Sequence, residues 1–402
     1  MTDYKEKYLT YKAKYQKSKK SSDSKVSSIS GENRTEVQIG GSDIVSDAKS
    51  LGSKGSKGSN KTDKSIKSES IRSLKSSIKK PHIPPSLDIR TSEFVQSLKN
   101  STPINKMSIT DARQTLNNIQ SDISYKENVI ISPPIEISGS SFTYSITINI
   151  FRPKKIELTQ ILPTIIYFHG GGWILGNAQT HGRLISEICT RTNTSIVFVN
   201  YTPSPERKYP TQLIESLDVL NWLGDNHTKY YLDVSKLIAM GDSVGANICT
   251  VMSFLSTEKG RKFRIGYQIL LYPVTGADFN TESYNIFEQG PWLTKDSMKW
   301  FYNSYEPDMK TRSIPLISTL NVNESYLKNL APTLIITDQN DVLRDEGEAF
   351  ANKLMKSNPN VTAVRYLGTI HDFLMLDPLK NTPAVKSALL LISAHICDFL
   401  KN

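Results

Sequence analysis

From about residue 86 to the C-terminus, the sequence predicts an α/β domain with a mostly parallel central sheet and helices on both faces. Two observations, the alternation of segments and the length, predict this fold class, and the distribution of charge indicates where it begins. Runs rich in β-branched residues alternate with amphipathic helical segments, as in sheets built from crossover units. This part of the chain is electrically balanced, with 30 basic and 30 acidic residues. Its length suits one α/β domain, since such domains often exceed about 200 residues.

The strand predictions rest on apolar, β-branched runs bounded by turn residues. The first run is long and alternating, and the next ones are short and almost wholly apolar. We predict seven strands, at residues 141–150, 164–168, 195–200, 237–240, 268–272, 333–337 and 362–367.

Two helices are clear between these strands. Residues 211–223 carry leucines on one face, with Pro210 before the start and Gly224 after the predicted end. Residues 108–119 begin with Ser108 and carry Asp111 three positions later, a variant of the capping box.

Residues 275–330 interrupt the alternation. After Thr294 an aromatic stripe follows, which either packs in the core or also contacts substrate if this segment covers a pocket. The stripe consists of Met298, Phe301, Tyr302 and Tyr305.

The first 85 residues differ in composition from the rest of the chain. They hold 17 lysines and 2 arginines against 9 acidic residues, a surplus of ten positive charges, and serine and lysine supply 36 of the first 80 residues. Such a segment cannot bury enough apolar surface to offset its conformational entropy. We therefore predict a disordered basic tail over residues 1–85 and a folded domain over residues 86–402.

One part of this tail has a helical pattern, because tyrosines recur on one face at Tyr4, Tyr8, Tyr11 and Tyr15 with lysines around them. The stretch resembles the Tyr/Lys-rich N-termini of proteins from very large DNA viruses. A basic helix of this kind either stays solvated or contacts an anionic surface, nucleic acid or another protein. The sequence leaves these alternatives open.

The cysteines and the N-terminus bear on the cellular compartment. Cys189, Cys249 and Cys397 are far apart and odd in number, and they lack metal-ligand spacing, which favours a reducing compartment. The N-terminus has no apolar signal segment, and no run of eighteen apolar residues occurs. We expect an intracellular, cytoplasmic protein without a transmembrane segment, associated with virions if the viral resemblance of the tail holds.

A candidate nucleophile follows the predicted strand 237–240. There the sequence Gly-Asp-Ser-Val-Gly at 241–245 has the form Gly-x-Ser-x-Gly and precedes an apolar helical segment. Glycines on both sides of the serine allow a tight turn, which would expose Ser243 at the carboxyl edge of the sheet. Alone this pattern is weak, since about 0.1 matches are expected by chance in such a chain.

A second glycine motif directly follows the predicted strand 164–168. Attack on an ester carbonyl places negative charge on its oxygen, and backbone N–H groups already in position stabilise that charge. Consecutive glycines leave their N–H groups open to substrate. We predict an oxyanion hole at Gly170, Gly171 and Gly172, with the N–H of Val244. For His169 we favour a role in orienting this loop over proton transfer.

The base that activates the serine is expected to be a histidine. Of the six histidines, His371 follows the predicted strand 362–367 through the short turn 368–370, which is where an α/β hydrolase carries its base. Apart from His169, the others lie in the tail, in helical segments or after a helix: His82, His181, His227 and His395.

The acid that holds this histidine is expected after the strand 333–337. Asp338 ends that predicted strand, and Asp345 opens the following helix, where the helix dipole alone accounts for it. Asp341 lies in the loop between them, and we favour it as the acid. The predicted catalytic residues are Ser243, Asp341 and His371, and they require neither a metal nor an organic cofactor.

Together these motifs resemble the hormone-sensitive-lipase-like group of α/β-hydrolases, which contains carboxylesterases and related lipases. The resemblance spans about residue 105 to the C-terminus and includes the segments 200–210 and 341–347. It implies an α/β-hydrolase fold with a helical cap, here from about 86–125 and 275–330. It also implies hydrolysis of a small-molecule ester through an acyl-enzyme, and we expect short- to medium-chain esters.

The chain departs from the pattern of this group at three positions near the site. Val244 and Ala246 stand where the group usually has alanine and glycine, and the branched side chain of Val244 would narrow the acyl site. Asp372 stands where the group usually has glycine. It either shifts the titration of His371 or is solvated, and we favour the second.

Two other functions stay open at this point. The same fold binds ligands without catalysis when its base is lost, and the presence of His371 argues against this. Alternatively, the basic tail is the functional element and tethers the enzyme to nucleic acid or to a scaffold such as a virion.

Overall fold

The computed structural model describes residues 86–138, 145–258 and 261–402. The predicted tail, with its tyrosine pattern and His82, lies outside the described residues. The described strands are β1 (Val129–Ile131), β2 (Ile135–Ser138), β3 (Ser145–Pro153), β4 (Leu162–Phe168), β5 (Ser195–Asn200), β6 (Leu232–Asp242), β7 (Ile265–Leu271), β8 (Thr333–Asn340) and β9 (Val361–Ile370).

These nine strands form one sheet in the order β1-β3-β5-β4-β6-β7-β8-β9, with β2 also paired to β3. The pairs from β5 through β9 are parallel, and β3 pairs antiparallel with β1, β2 and β5. Almost every residue of β4 and β5 is buried. Since successive side chains point to opposite faces, both faces of this sheet are covered. The predicted fold class is confirmed.

The described helices are α1 (Ile89–Ser97), α2 (Ile109–Ile119), α3 (Gly182–Thr192), α4 (Thr211–Asn226), α5 (Val244–Ser256), α6 (Glu282–Ile286), α7 (Lys295–Tyr305), α8 (Glu324–Leu327), α9 (Arg344–Met355) and α10 (Pro383–Lys401). The predicted cap of α2 is confirmed, because the Ser108 hydroxyl accepts the N–H of Asp111 at 3.1 Å.

Each of the seven predicted strands is present; the strand 195–200 has the predicted ends, and the other six differ at one or both ends, although residues 141–144 of the first lie outside the described chain. Three boundaries on which the sequence analysis relied were wrong. β8 extends to Asn340, so Asp338 lies inside the strand, and β9 includes residues 368–370. α4 continues past Gly224 to Asn226, since one glycine costs a helix only about 1 kcal/mol and the helix is held by its buried face.

The C-terminal helix α10 is the described helix whose length and composition would suffice to cross a membrane, with a mean hydropathy of 1.4. Core helices of α/β domains meet the same criteria. α10 packs against α3 and β9, and its buried side chains are Val385, Ala388, Leu389, Ile392 and Ile396. It is therefore weak evidence for a membrane span.

Candidate active site

Ser243 lies in the tight turn between β6 and α5. Its φ of 53° and ψ of −120° are sterically strained for a residue with a side chain. A Cβ on Gly241 would lie 2.5 Å from the carbonyl carbon of Gly245, and a Cβ on Gly245 would lie 2.0 Å from the carbonyl oxygen of Phe168. Only glycine fits both positions, which is why the serine is flanked in this way.

The structure brings three of the predicted residues into one hydrogen-bonded chain. His371 Nε2 lies 3.0 Å from Ser243 Oγ, and His371 Nδ1 lies 2.7 Å from Asp341 Oδ2. The other oxygen of Asp341 accepts the backbone N–H of Leu343 at 2.9 Å, which fixes the carboxylate. Asp345 does not join this chain, because its carboxylate accepts the N–H of Ser283.

The electrostatics around His371 favour its protonated form. Burial opposes the charge on the imidazole, but attraction by Asp341 and Asp372 outweighs burial and raises the pKa of His371 to about 10. A base must be neutral to take a proton from serine. This site is therefore most competent for general-base chemistry at alkaline pH.

Asp338 is fully buried beside this chain, and neither of its carboxyl oxygens has a hydrogen-bond partner within the described structure. Burial and repulsion by Asp341 raise its pKa well above the usual range, which favours the neutral form of the carboxyl group. Asp338, Asp341 and His371 satisfy the spacing of a metal site. Both nitrogens of His371 are already engaged, by Ser243 and Asp341, so the ring has no free nitrogen to offer an ion.

The glycine loop presents N–H groups next to Ser243. Gly171 and Gly172 have φ of 102° and 62°, in the left-handed region that favours glycine. Within the described chain, the N–H groups of Gly171, Gly172 and Val244 have no hydrogen-bond partner. The N–H of Gly170 is different, since it donates to Asp242 Oδ1 at 3.0 Å. The prediction of Gly170 as an oxyanion donor is thus corrected: it anchors the loop.

His169 is held inside the loop that it begins. Its Nδ1 donates to the carbonyl of Gly170 at 2.8 Å, and its ring stacks on Tyr201 with centroids 4.2 Å apart. Burial lowers the pKa of His169 to about 3, so the ring is neutral. A neutral ring whose Nδ1 is held by the loop suits loop orientation better than proton transfer.

Asp242 and His181 form a buried pair that the sequence analysis did not identify. His181 Nε2 lies 3.3 Å from Asp242 Oδ2, and the hydroxyl of Tyr167 donates to Asp242 Oδ1 at 2.7 Å. Burial opposes both charges, yet mutual attraction lowers the pKa of Asp242 and raises that of His181. The signal for this pair was Asp242 inside the serine motif, but its partner lies 61 residues away.

The two remaining described histidines lie apart from this site. His227 Nδ1 donates to the carbonyl of Leu232, and His395 Nδ1 lies 2.7 Å from the hydroxyl of Tyr267. In each of these two rings, Nδ1 is engaged by a neighbouring group outside the candidate site.

A cavity of about 220 Å³ opens over Ser243 and His371. Two covering segments, residues 98–119 and 291–301, supply most of its wall, and both lie within the ranges predicted for the cap. Met298 and Phe301 of the aromatic stripe line the cavity, whereas Tyr302 and Tyr305 pack against Trp173. The apolar lining residues are Leu98, Pro103, Ile104, Met107, Leu116, Ile119, Leu175, Pro291, Trp292, Leu293, Met298, Phe301 and Met375.

One side chain fixes the first covering segment to the glycine loop. Arg113 of α2 donates to the carbonyl of Ile174 at 2.9 Å and forms a two-pronged ion pair with Glu206, at 2.7 and 2.9 Å. The position of α2 over the cavity is thus set by hydrogen bonds as well as by apolar packing.

Two expectations about residues near the site were wrong. Val244 is fully buried and is not among the residues that line the described cavity, so its side chain does not narrow it. Asp372 is not solvated, because its side chain is only 13% exposed. Its Oδ2 accepts the indole N–H of Trp292 at 2.9 Å, and its Oδ1 lies 3.4 Å from His371 Nε2.

Comparisons with known proteins agree with this fold. Residues 165–375 match the family model described as the alpha/beta hydrolase fold. An α/β hydrolase of Acanthamoeba polyphaga mimivirus is 43% identical over 317 residues, which cover 77% of this chain and 88% of that relative. An esterase of Fusarium pseudograminearum is 32% identical over 244 residues, covering 60% of this chain and 75% of the relative.

Solved structures are similar over an equally long part of the chain. The crystal structure of a thermostable esterase from Pseudomonas putida has 35% sequence identity and a TM-score of 0.74, and it covers 79% of this chain and 99% of its own. The mimivirus relative also agrees with the viral resemblance of the N-terminal stretch.

Proposed function

The chain belongs to the hormone-sensitive-lipase-like group of the α/β-hydrolase fold family, and on that premise we propose that it is a carboxylic ester hydrolase. The reaction proceeds through an acyl-enzyme carried by Ser243. The observation that carries this proposal is the chain of contacts from Ser243 through His371 to Asp341, with distances of 3.0 and 2.7 Å, at the wall of a covered cavity.

In the first half of the reaction, Ser243 Oγ attacks the ester carbonyl while His371 Nε2 takes the hydroxyl proton. Asp341 stabilises the imidazolium that forms. The N–H groups of Gly171, Gly172 and Val244 bind the negative oxygen of the tetrahedral intermediate. The intermediate collapses, the bond to the alcohol oxygen breaks, and the alcohol leaves with the proton from His371.

In the second half, water replaces the alcohol. His371 takes a proton from water as its oxygen attacks the acyl carbon, and the same N–H groups bind the oxyanion. Collapse releases the carboxylic acid and returns the proton to Ser243. Each step uses side chains and backbone groups of this chain alone.

The cavity supports a preference for short- to medium-chain esters. Its volume of about 220 Å³ lies below the range of about 300 to 1,000 Å³ typical of pockets for drug-sized ligands. Its wall is largely apolar, which suits an acyl chain.

Hydrolysis of p-nitrophenyl esters from acetate to palmitate tests both the activity and the size preference. We expect the highest kcat/KM with acyl chains of about two to eight carbons and no turnover by Ser243→Ala. A maximum on palmitate would contradict the size preference. Unchanged turnover by Ser243→Ala would contradict the mechanism.

For the basic tail we propose contact with an anionic surface, nucleic acid or another protein. The support is compositional: the first 85 residues carry the whole net charge of +10. Binding to heparin and to duplex DNA would be compared between the full chain and a chain that begins at residue 86. The proposal is supported if the full chain binds, if this binding weakens steeply as salt is added, and if the shorter chain does not bind but hydrolyses esters at an unchanged rate.

A further inference from the structure

The base His371 has a second carboxylate beside its serine-facing nitrogen. Asp372 Oδ1 lies 3.4 Å from His371 Nε2, the same nitrogen that contacts Ser243 Oγ at 3.0 Å. In the mechanism proposed above, only Asp341 is needed to hold the imidazole, and it does so at the opposite nitrogen. Asp372 is therefore an additional charge at the point where the proton is transferred.

This carboxylate is held in place on one side only. Its Oδ2 accepts the indole N–H of Trp292 at 2.9 Å, whereas its Oδ1 is buried and has no hydrogen-bond partner within the described chain. The backbone of Asp372 has a φ of 65°, a conformation that is costly for a residue with a side chain. A strained, half-satisfied carboxylate next to a base points to a role at that base.

The second covering segment reaches this carboxylate, and α1 packs against the residue that does so. Trp292 belongs to the second covering segment and lines the cavity, and its ring lies 5.6 Å from that of Phe94 on α1. The indole that orients Asp372 is thus itself held by packing against α1. The orientation of the carboxylate depends on the position of Trp292.

We propose that Asp372 is a positioning residue that pairs with the protonated Nε2 of His371, so that Ser243 and Asp372 compete for this nitrogen and the resting site must lose a proton before attack. This inference rests on the proposed esterase mechanism. In the resting state the imidazolium donates Nδ1–H to Asp341 and holds its Nε2 proton between Asp372 and Ser243. Release of that proton to solvent frees the Nε2 lone pair for the serine hydroxyl.

The charges around His371 support this assignment. The groups that face it within the described chain are Asp341 and Asp338, Asp372, Ser243 and the Tyr272 ring, whose centroid lies 5.0 Å away. Attraction by Asp341 and Asp372, with a smaller contribution from Asp338, raises the pKa of His371.

Asp372 itself is subject to opposing effects, and burial prevails, so that its pKa is raised. Burial raises the pKa of Asp372, while the positive charge of His371 and the hydrogen bond from Trp292 lower it; Asp242 and His181 act on it from farther away. Trp292 therefore helps to keep the carboxylate charged, and its removal would weaken the ion pair with His371.

The test is the pH profile of kcat/KM for a short-chain ester, measured from pH 6 to 10.5 on Asp372→Asn and Asp372→Gly. Both variants remove the charge, and asparagine and glycine tolerate the backbone conformation at this position. In the wild type, kcat/KM should rise with pH as His371 loses its proton; we call this rise the alkaline limb. We expect its midpoint to fall by at least about one pH unit in both variants, which raises kcat/KM at pH 7 by about tenfold. Because the freed imidazole is a weaker base, the plateau at high pH should fall below that of the wild type.

Two further variants separate this role from a structural one. Trp292→Phe keeps Asp372 but removes its donor, and it should move the limb in the same direction by a smaller amount. Asp225→Asn removes an exposed carboxylate that pairs with Lys262 on the surface, and it should leave the limb in place. A loss of activity at every pH with an unmoved limb would overturn the proposal.

A direct titration of His371 by NMR makes the result independent of turnover. The ring resonance, assigned by its absence in His371→Gln, should titrate at lower pH in Asp372→Asn than in the wild type. An unchanged midpoint would overturn the inference even if the chain hydrolyses esters. An absence of ester turnover at any pH would count against the proposed function, and the NMR midpoint would still decide the role of Asp372.

Discussion

Asp242 Oδ1 accepts the backbone N–H of Gly170 at 3.0 Å, which ties the turn that carries the nucleophile to the loop that carries the oxyanion donors. The same carboxylate accepts the hydroxyl of Tyr167 and contacts His181. The distance between Ser243 and the free N–H groups is therefore set by a buried side chain that does not face the cavity.

Two substitutions of Asp242 distinguish its role as an acceptor that positions the loop from the effect of its negative charge. We expect Asp242→Ala to lower kcat by about 100-fold or more with a much smaller change in KM, because loss of a single oxyanion donor typically costs that much. Asp242→Asn keeps an oxygen that can accept from Gly170 and should restore most of the rate. Steady-state kinetics and thermal unfolding of both variants check this. Equal losses in Asn and Ala would contradict an anchoring role.

Gly172 of the glycine loop lies where there is no room for a side chain. A Cβ on Gly172 would lie 2.0 Å from the ring of Phe301 in a backbone region that alanine rarely adopts. We expect Gly172→Ala to lose at least about tenfold in kcat/KM. Gly276→Ala is the matched control, since its Cβ would meet nothing closer than 3.7 Å, at Glu346. Comparable losses in the two variants would refute the role of this loop.

We expect the side chains in the cavity wall to limit the length of the acyl chain. Met298 is buried and lines the cavity, so Met298→Ala should enlarge it and raise the kcat/KM ratio of octanoate to acetate esters by about tenfold. Met309 lies in the same region of the sequence but is 73% exposed, and Met309→Ala should leave the ratio unchanged. A ratio that does not move in Met298→Ala would show that this side chain does not limit the substrate.

The buried carboxyl group of Glu346 should make the stability of the folded chain depend on pH. Burial raises the pKa of Glu346 to about 8, although its carboxylate accepts the N–H groups of Gly276 and Thr275. Between the ordinary glutamate range and pH 8 the folded state binds more protons than the unfolded state, so stability falls as pH rises through that window.

Glu346→Gln removes this dependence because glutamine stays neutral. We expect the difference in Tm between Glu346→Gln and the wild type to shift in favour of the variant as pH rises from 5 to 9. Thermal unfolding at several pH values measures it. A difference that is constant across this range would mean that Glu346 does not titrate in the window.

The parts of this site that the sequence could predict are those encoded by local motifs. Ser243 and the glycine loop each follow a strand directly, and parallel strands bring their carboxyl ends to the same edge of the sheet. His371 and Asp341 could be placed for the same reason, from the ends of neighbouring strands.

The rest depends on packing between distant segments. Trp292 and Asp372 are 80 residues apart, and the covering segments bring them together, so Asp372 could not be distinguished from a solvated residue. Gly170 was predicted as a donor to substrate because no local pattern shows that Asp242 already binds it. β1 and β2 were not predicted, since strands of three and four residues carry too little pattern.

The central claim is that Ser243 is a nucleophile activated by His371. Reaction of the folded full-length chain with a fluorophosphonate, followed by mass spectrometry of the labelled peptide, tests it most directly. We expect one phosphonylated residue, Ser243, with labelling absent in Ser243→Ala and slowed by about 1,000-fold or more in His371→Ala. A folded wild-type chain that remains unlabelled, or that is labelled equally fast without His371, would contradict the account.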